Sequence, residues 1–287
     1  MKNWICLRSL KINLFLNRRH HRRNFLKIKS KAVQAKSKTK PNDEIEFWAT
    51  RAKKYNNLEW ASKGDYLHTF LNIGQFHESD HALDIGTGTG IIAHTVSPFV
   101  KNVVGVDISE EMLKRAENPA FKNISWMRMY AHDLKFKDQT FNKITARMVF
   151  HHIIDHTQAA MKECYRVLKK DGIMVFSEGV PPTKHVKTFY TEMFKLKEDR
   201  ITFMEEDLTN LMKKAGFKKI QKKIYWARHS SIRNWLDSSG LPAKVKNEIF
   251  QMHIDLDEQG KRDYNMVIEN KDCYIDMKFV ILAGTKS

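Results

Sequence analysis

The segment His81-Ala82-Leu83-Asp84-Ile85-Gly86-Thr87-Gly88-Thr89-Gly90 constrains this chain more than any other stretch. An apolar lead-in closed by an acid reads as a buried parallel strand. Glycines at every second position then mark a turn into a helix. Glycine has no Cβ and tolerates left-handed dihedrals, so such a turn lets a nucleotide come close to the backbone. A parallel strand also needs a crossover connection, which predicts alternating strands and helices.

The rest of the sequence follows that alternation. Helices are expected over 43–60 and 64–73 and, after the glycine turn, over 91–99. A second strand is predicted over 101–107, ending on Asp107, with Ser109 as N-cap and Glu110 and Glu111 in the helix's first turn. Further strands are expected over 124–130, 141–149 and 172–177, with a helix over 156–168 between the last two. A helix over 205–215 closes on Gly216, and strands over 217–226 and 273–283 complete a set of seven. The segments 180–204 and 229–270 read as insertions placed to cap a substrate site. Strands that alternate with helices give an α/β fold with right-handed crossovers.

The net charge of +17 is unevenly spread. Residues 1–42 hold 13 Lys or Arg and no acid, which leaves +4 on the other 245 residues. The domain reading is therefore a basic arm over 1–42 and one large domain over 43–287. Arg8 and Lys11 interrupt the arm's apolar stretch, which argues against a secretory signal. Its acid-free, Arg-rich character fits a disordered tail, an organellar (mitochondrial-type) targeting segment, or a nucleic-acid or membrane contact. The expected location is cytoplasmic, or organellar if the arm is a transit peptide. No apolar run reaches the roughly 18 residues needed to span a bilayer. Cys6, Cys164 and Cys273 form no C-x-x-C, which argues against a disulfide framework or a zinc knuckle.

In open α/β sheets, ligands sit beyond the carboxyl ends of the strands. Asp107 lies there, 21 residues after Gly86, where a carboxylate can accept hydrogen bonds from ribose hydroxyls. A dinucleotide site would prefer G-x-G-x-x-G or A, but Ile91 fills the third small position. No Lys-Ser or Lys-Thr follows the glycines, so the P-loop pattern is absent too. The combination predicts an adenosine-type cofactor without pyrophosphate.

Residues 83–90, then Val104-Gly105-Val106-Asp107-Ile108-Ser109 with Met112-Leu113, resemble class I S-adenosylmethionine (SAM)-dependent methyltransferases. The likeness is greatest to the methyltransferase type 11 group, which includes ubiquinone/menaquinone C-methyltransferases. Leu134-Lys135-Phe136 with Phe141, Val149-Phe150-His151-His152, and residues 165–172 extend the match over roughly 45–228. The resemblance implies a Rossmann-like, mostly parallel seven-stranded sheet with an antiparallel last strand and helices on both faces. The early helices and late insertions would form a cap.

For the site, the resemblance implies that Asp84, Gly86, Thr87, Gly88 and Gly90 frame the methionine part of SAM. Asp107 would hold the ribose. Ile108 and Met112 would flank adenine, with the Ala131 backbone facing the ring. Arg147 and Met148 would lie beside the sulfonium. Tyr130 stands where the family usually has Asp, so Asp133 or a backbone carbonyl is expected to take the adenine amino group. Asn142 replaces the Asp that opens the fourth strand, and keeps a turn bond.

Methyl transfer mainly needs alignment of nucleophile, methyl carbon and sulfur. A hydroxyl, carbon-acid or protonated amine acceptor also benefits from a base. His151 and His152, after the fourth strand, titrate near neutrality and are candidate bases; Glu178 is a candidate substrate-orienting carboxylate. His185 and His229 are bases only if the insertions fold over the site. Tyr55, Trp60, Tyr66, Phe189, Tyr190 and Trp235 are candidates for an aromatic acceptor pocket. His151, His152, Asp155 and His156 lack the H-E-x-x-H pattern, and no metal is expected. The leading expectation is a small-molecule acceptor. The alternatives are an RNA or protein methyltransferase aided by the basic arm, and a non-catalytic assembly factor of the same fold. The oligomeric state is not readable.

Overall fold

The computed structural model describes residues 46–48 and 64–287. The basic arm, Tyr55 and Trp60 lie outside them, as does most of the first predicted helix, of which Glu46–Trp48 are helical.

A sheet of eight strands organises the domain. These are β1 (His81–Ile85), β2 (Asn102–Asp107), β3 (Ile124–Arg128), β4 (Phe141–Arg147), β5 (Leu168–Val180), β6 (Lys218–Ser231), β7 (Val267–Glu269) and β8 (Asp272–Thr285). The order is β3-β2-β1-β4-β5-β8-β6, with the short β7 paired to β8. Strands β1 to β5 pair in parallel. Strand β8 runs antiparallel to both β5 and β6. The Rossmann-like α/β fold with its antiparallel last strand is thus as expected. The added strand is β7, a three-residue hairpin arm inside the predicted 229–270 insertion.

Helices form in the predicted segments and also within both insertions. They are α1 (Gly64–Gly74), α2 (Ile91–Val96), α3 (Glu110–Ala116), α4 (Thr157–Val167), α5 (Lys187–Lys197), α6 (Glu205–Ala215), α7 (Ile232–Asp237), α8 (Ala243–Ile254) and α9 (Glu258–Asp263). In α1, Tyr66, Phe70 and Ile73 recur at helical spacing and bury one stripe. They join α2 and β8 residues such as Val96, Phe279 and Ile281 in one core. A second core packs α4 and α6 residues (Ala160, Met161, Leu208, Met212) against Leu83, Ile85, Ile144 and Phe176. The caps behave as read. Ser109 accepts from the Met112 amide, and Gly216 closes α6 at φ 113°. Asn142 keeps its bond, receiving the His81 amide at 3.0 Å where β1 begins.

The insertions form a third core of their own. Helices α5, α7 and α8 bring Tyr190, Phe194, Leu236 and Ile249 together with Cys273 and Ile275 of β8. His253 is sealed inside this cluster, its Nδ1 2.8 Å from the Ile249 carbonyl and its ring edge-on to Phe189. Burial lowers its pKa from 6.5 to about 4. A histidine whose pKa is depressed by folding stabilises the fold above pH 6.5, and this contribution is lost as pH falls towards 4. The loss amounts to about 3 kcal/mol. Asp84 and Glu178, pushed up by burial, act in the opposite sense over the same range. Denaturant unfolding of wild type and His253→Phe at pH 7 and pH 4.5 separates the two effects: the variant should lose less stability on acidification.

Candidate active site

The glycine turn has the backbone its spacing predicts. Gly86, Gly88 and Gly90 all lie at positive φ, at 59°, 54° and 82°. A Cβ on Gly86 would sit 2.3 Å from Val149 Cγ2, so the turn presses against the segment after β4. A Cβ on Gly88 would meet nothing within 4 Å. The middle of the turn therefore borders open space that a side chain would fill.

Two carboxylates hold the turn. Asp84, buried at the end of β1, accepts from Thr87 Oγ1 at 2.6 Å and from Thr145 Oγ1 at 2.7 Å. Burial pushes its pKa up to about 6, against the opposing effect of those hydroxyls. Asp107, at the end of β2, accepts the Gly88 amide at 2.9 Å and the Ser109 amide at 3.0 Å. Its pKa is also raised by burial. Each oxygen takes one backbone donor and keeps lone-pair capacity for further donors. The arrangement fits a ribose diol at Asp107 and a cofactor body over Gly88.

The other predicted cofactor positions ring the same strand ends. Met112 is buried in α3, and Ile108, beside it, accepts Arg128 Nε at its carbonyl. Tyr130 is 39% exposed, with its ring centroid 5.3 Å from that of His132. Ala131 packs against the core beneath. The Asp133 amide bonds the Tyr130 carbonyl, and the Asp133 carboxylate pairs with Lys135 at 2.6 Å. Arg147 is buried at the end of β4 with its guanidinium 6.0 Å from the Tyr66 ring centre.

The segment after β4 joins this turn to a cavity. Met148, His151 and His152 line it from one side, and Gly179 and Val180 at the end of β5 floor it. Tyr190, Phe194 and Lys197 of α5, with Glu198 and Arg200 beyond, form a second wall. Trp235 of α7, His253 of α8 and β8 residues close the rest. Both insertions thus line one cavity with the post-β4 segment.

Of the predicted aromatics, Tyr190 and Trp235 line this cavity. Tyr66 is instead core, beside Tyr225 and Phe279, and Phe189 packs against His253 and Tyr264. His185 pairs with Asp257, and His229 lies over Tyr274 near Glu269; neither lines the cavity.

Glu178 sits behind the cavity wall. It is fully buried; Oε1 accepts the Val149 and Phe150 amides, and Oε2 lies 2.5 Å from His151 Nδ1. Burial pushes its pKa up to about 7. The carboxylate therefore fixes the 149–151 turn and the His151 ring, which borders the cavity. His152 stacks beside His151 at 3.9 Å, edge-on to Trp48.

The proposed histidine group is split. His156 stacks on His132 at 4.2 Å, and Asp155 is exposed. A different trio, His151, His152 and Glu198, brings ligand atoms within 4.8 Å of one another. Glu198, however, is held by Lys197 at 2.6 Å, with Arg200 at 3.6 Å. Two cations at that carboxylate oppose the approach of a third.

Residues 83–176 match the family model described as a methyltransferase domain. This stretch contains both carboxylates, the whole glycine turn and the post-β4 segment. The chain carries a methyltransferase domain. It is 25% identical over 251 residues to the uncharacterized methyltransferase YcgJ of Bacillus subtilis, covering 83% of this chain and 97% of that one. It is 35% identical over 113 residues to the demethylmenaquinone methyltransferase of Tropheryma whipplei, covering 39% of this chain and 46% of that one. The crystal structure of B. subtilis YcgJ superposes with a TM-score of 0.68 at 21% identity, covering 78% of this chain and 99% of that one. This chain thus spans YcgJ almost completely but under half of the demethylmenaquinone enzyme.

Lys197, Glu198 and Arg200 carry no signal in the sequence. They stand in a charged run, Lys197-Glu198-Asp199-Arg200, which ordinarily marks a solvated surface.

Proposed function

We propose that this methyltransferase moves the methyl group of SAM to a small-molecule acceptor held in the cavity beside the glycine turn. One observation carries the reading: the segment Met148–His152 borders both the turn, through Val149 against Gly86, and the cavity walled by the two insertions. An acceptor enclosed by α5, α7 and α8 would lie next to the strand ends where the cofactor's sulfur is expected. The quinone chemistry in the name of the T. whipplei relative agrees with a ring-bearing small acceptor.

In this reading Asp84, Gly86, Thr87, Gly88 and Gly90 hold the methionine part of SAM. Asp107 holds the ribose. Ile108, Met112 and the Tyr130–Asp133 turn surround adenine, and Arg147 flanks the sulfonium end. SAM supplies an electrophilic methyl carbon, so the chain's task is to orient the acceptor for in-line displacement and exclude water. His151 or His152 takes a proton from the acceptor as its nucleophile forms. Glu178 orients His151 and acts through it. Tyr190 and Trp235 pack on the acceptor's apolar part.

Radiolabelled SAM incubated with the full chain and fractionated cell extract tests the acceptor class. Label should enter the small-molecule fraction. Label confined to RNA or protein, or no transfer at all despite SAM binding, would overturn the reading.

A further inference from the structure

One buried group in the cavity is only partly engaged by the contacts described above. The Arg200 side chain is 3% exposed. Its Nη1 faces Glu198 at 3.6 Å, but Nε and Nη2 have no hydrogen-bond partner. Its guanidinium lies 4.1 Å from the ring centre of Phe194 and 5.6 Å from that of Tyr190.

The geometry points to Arg200 as the residue that selects the acceptor. The Nε–Nη2 edge receives a carboxylate of the small molecule in two parallel hydrogen bonds. The inference rests on the small-acceptor reading and deepens it.

The two unpartnered nitrogens lie on one edge of the guanidinium, the fork that matches a planar carboxylate. The Phe194 ring packs against the guanidinium, and Nε and Nη2 are buried as well as unpartnered. A buried cationic donor without a partner is costly, and a ligand oxyanion removes that cost.

The charge around the cavity agrees. Among its described lining residues, Lys197, Arg200 and Lys278 bring three positive charges and Glu198 one negative. Lys278 is neutralised from outside by Glu205 at 2.5 Å, and Lys197 pairs with Glu198 at 2.6 Å. Counting Lys222, which shares Glu205, and the buried Glu178, which feels Arg200, four cations meet three carboxylates. A carboxylate monoanion matches that surplus better than a phosphate monoester, at roughly −1.5 to −2.

Benzoate and its neutral isostere benzamide serve as probes, with inorganic phosphate as a third ligand. Binding to the full chain is read by calorimetry and by fluorescence of the cavity tryptophan Trp235. Benzoate should bind wild type about tenfold more tightly than benzamide. Arg200→Gln should abolish that preference. Arg200→Lys, which keeps the charge but loses the fork, should reduce it and serves alone if Arg200→Gln does not fold. Both variants should bind S-adenosylhomocysteine as wild type does, a readout that a general structural role of Arg200 would not leave intact.

Equal binding of benzoate and benzamide overturns the inference. So does a tighter grip on phosphate, a preference that survives both substitutions, or no benzoate binding at concentrations on the order of 10 mM. Loss of S-adenosylhomocysteine binding by wild type would instead strike the cofactor reading and leave the carboxylate test independently readable.

Discussion

Asp107→Ala should weaken SAM binding by roughly 100-fold, with the fold retained. The carboxylate at the end of β2 organises the site from two sides. It fixes the amides of Gly88 and Ser109 at 2.9 and 3.0 Å, and so joins the glycine turn to the start of α3. Its remaining lone pairs would receive the ribose hydroxyls. Hydrogen bonds to a charged group contribute about 1.5–3 kcal/mol each, so losing the diol contacts costs about 3 kcal/mol. Asp107→Asn removes the charge but keeps one acceptor oxygen, and should fall between the two. Calorimetric titration with SAM checks the series. Unchanged affinity in Asp107→Ala would show that the ribose lies elsewhere.

His151→Ala should lower turnover about 10²- to 10⁴-fold and leave SAM affinity within about twofold of wild type. The histidine is pre-oriented by Glu178 at 2.5 Å, and Glu178 is itself held by two backbone amides. Burial pushes the carboxylate up, and it holds in place the imidazole that is the candidate base, a role filled best near neutrality. Glu178→Gln keeps the amide contacts but removes the charge that stabilises a protonated imidazole. It should reduce turnover about tenfold to a hundredfold and move the acid limb of the pH profile. Turnover is read as release of S-adenosylhomocysteine. Full activity in His151→Ala would transfer the role to His152 or to an acceptor that needs no base.

The parts of the fold legible in the sequence are those with a local cause. The strand–turn–helix at 81–96 follows from an apolar run and three glycines, and β2 with its Ser109 cap from the same kind of signal. The closure of α6 at Gly216 is likewise local. The boundaries of β5, β6 and β8 were not legible, because 13- and 14-residue strands are set by their pairing with one another. The geometry of the glycine turn was legible because glycine and Asp107 act close to where they stand in the chain. The cavity was not: Glu198 and Arg200 follow α5 in a charged run, yet their side chains are almost fully buried. Glu178 shows the same limit. Its place at the end of β5 suggested contact with substrate, yet the 149–151 turn folds over it and takes every oxygen.

Hydrogen–deuterium exchange with and without saturating S-adenosylhomocysteine tests the central claim most directly, because it reports which backbone segments the ligand orders. Protection should concentrate in 86–90, 107–112 and 130–133, the three segments that converge at the carboxyl ends of β1, β2 and β3. Absence of protection there, with the ligand bound, would contradict the account.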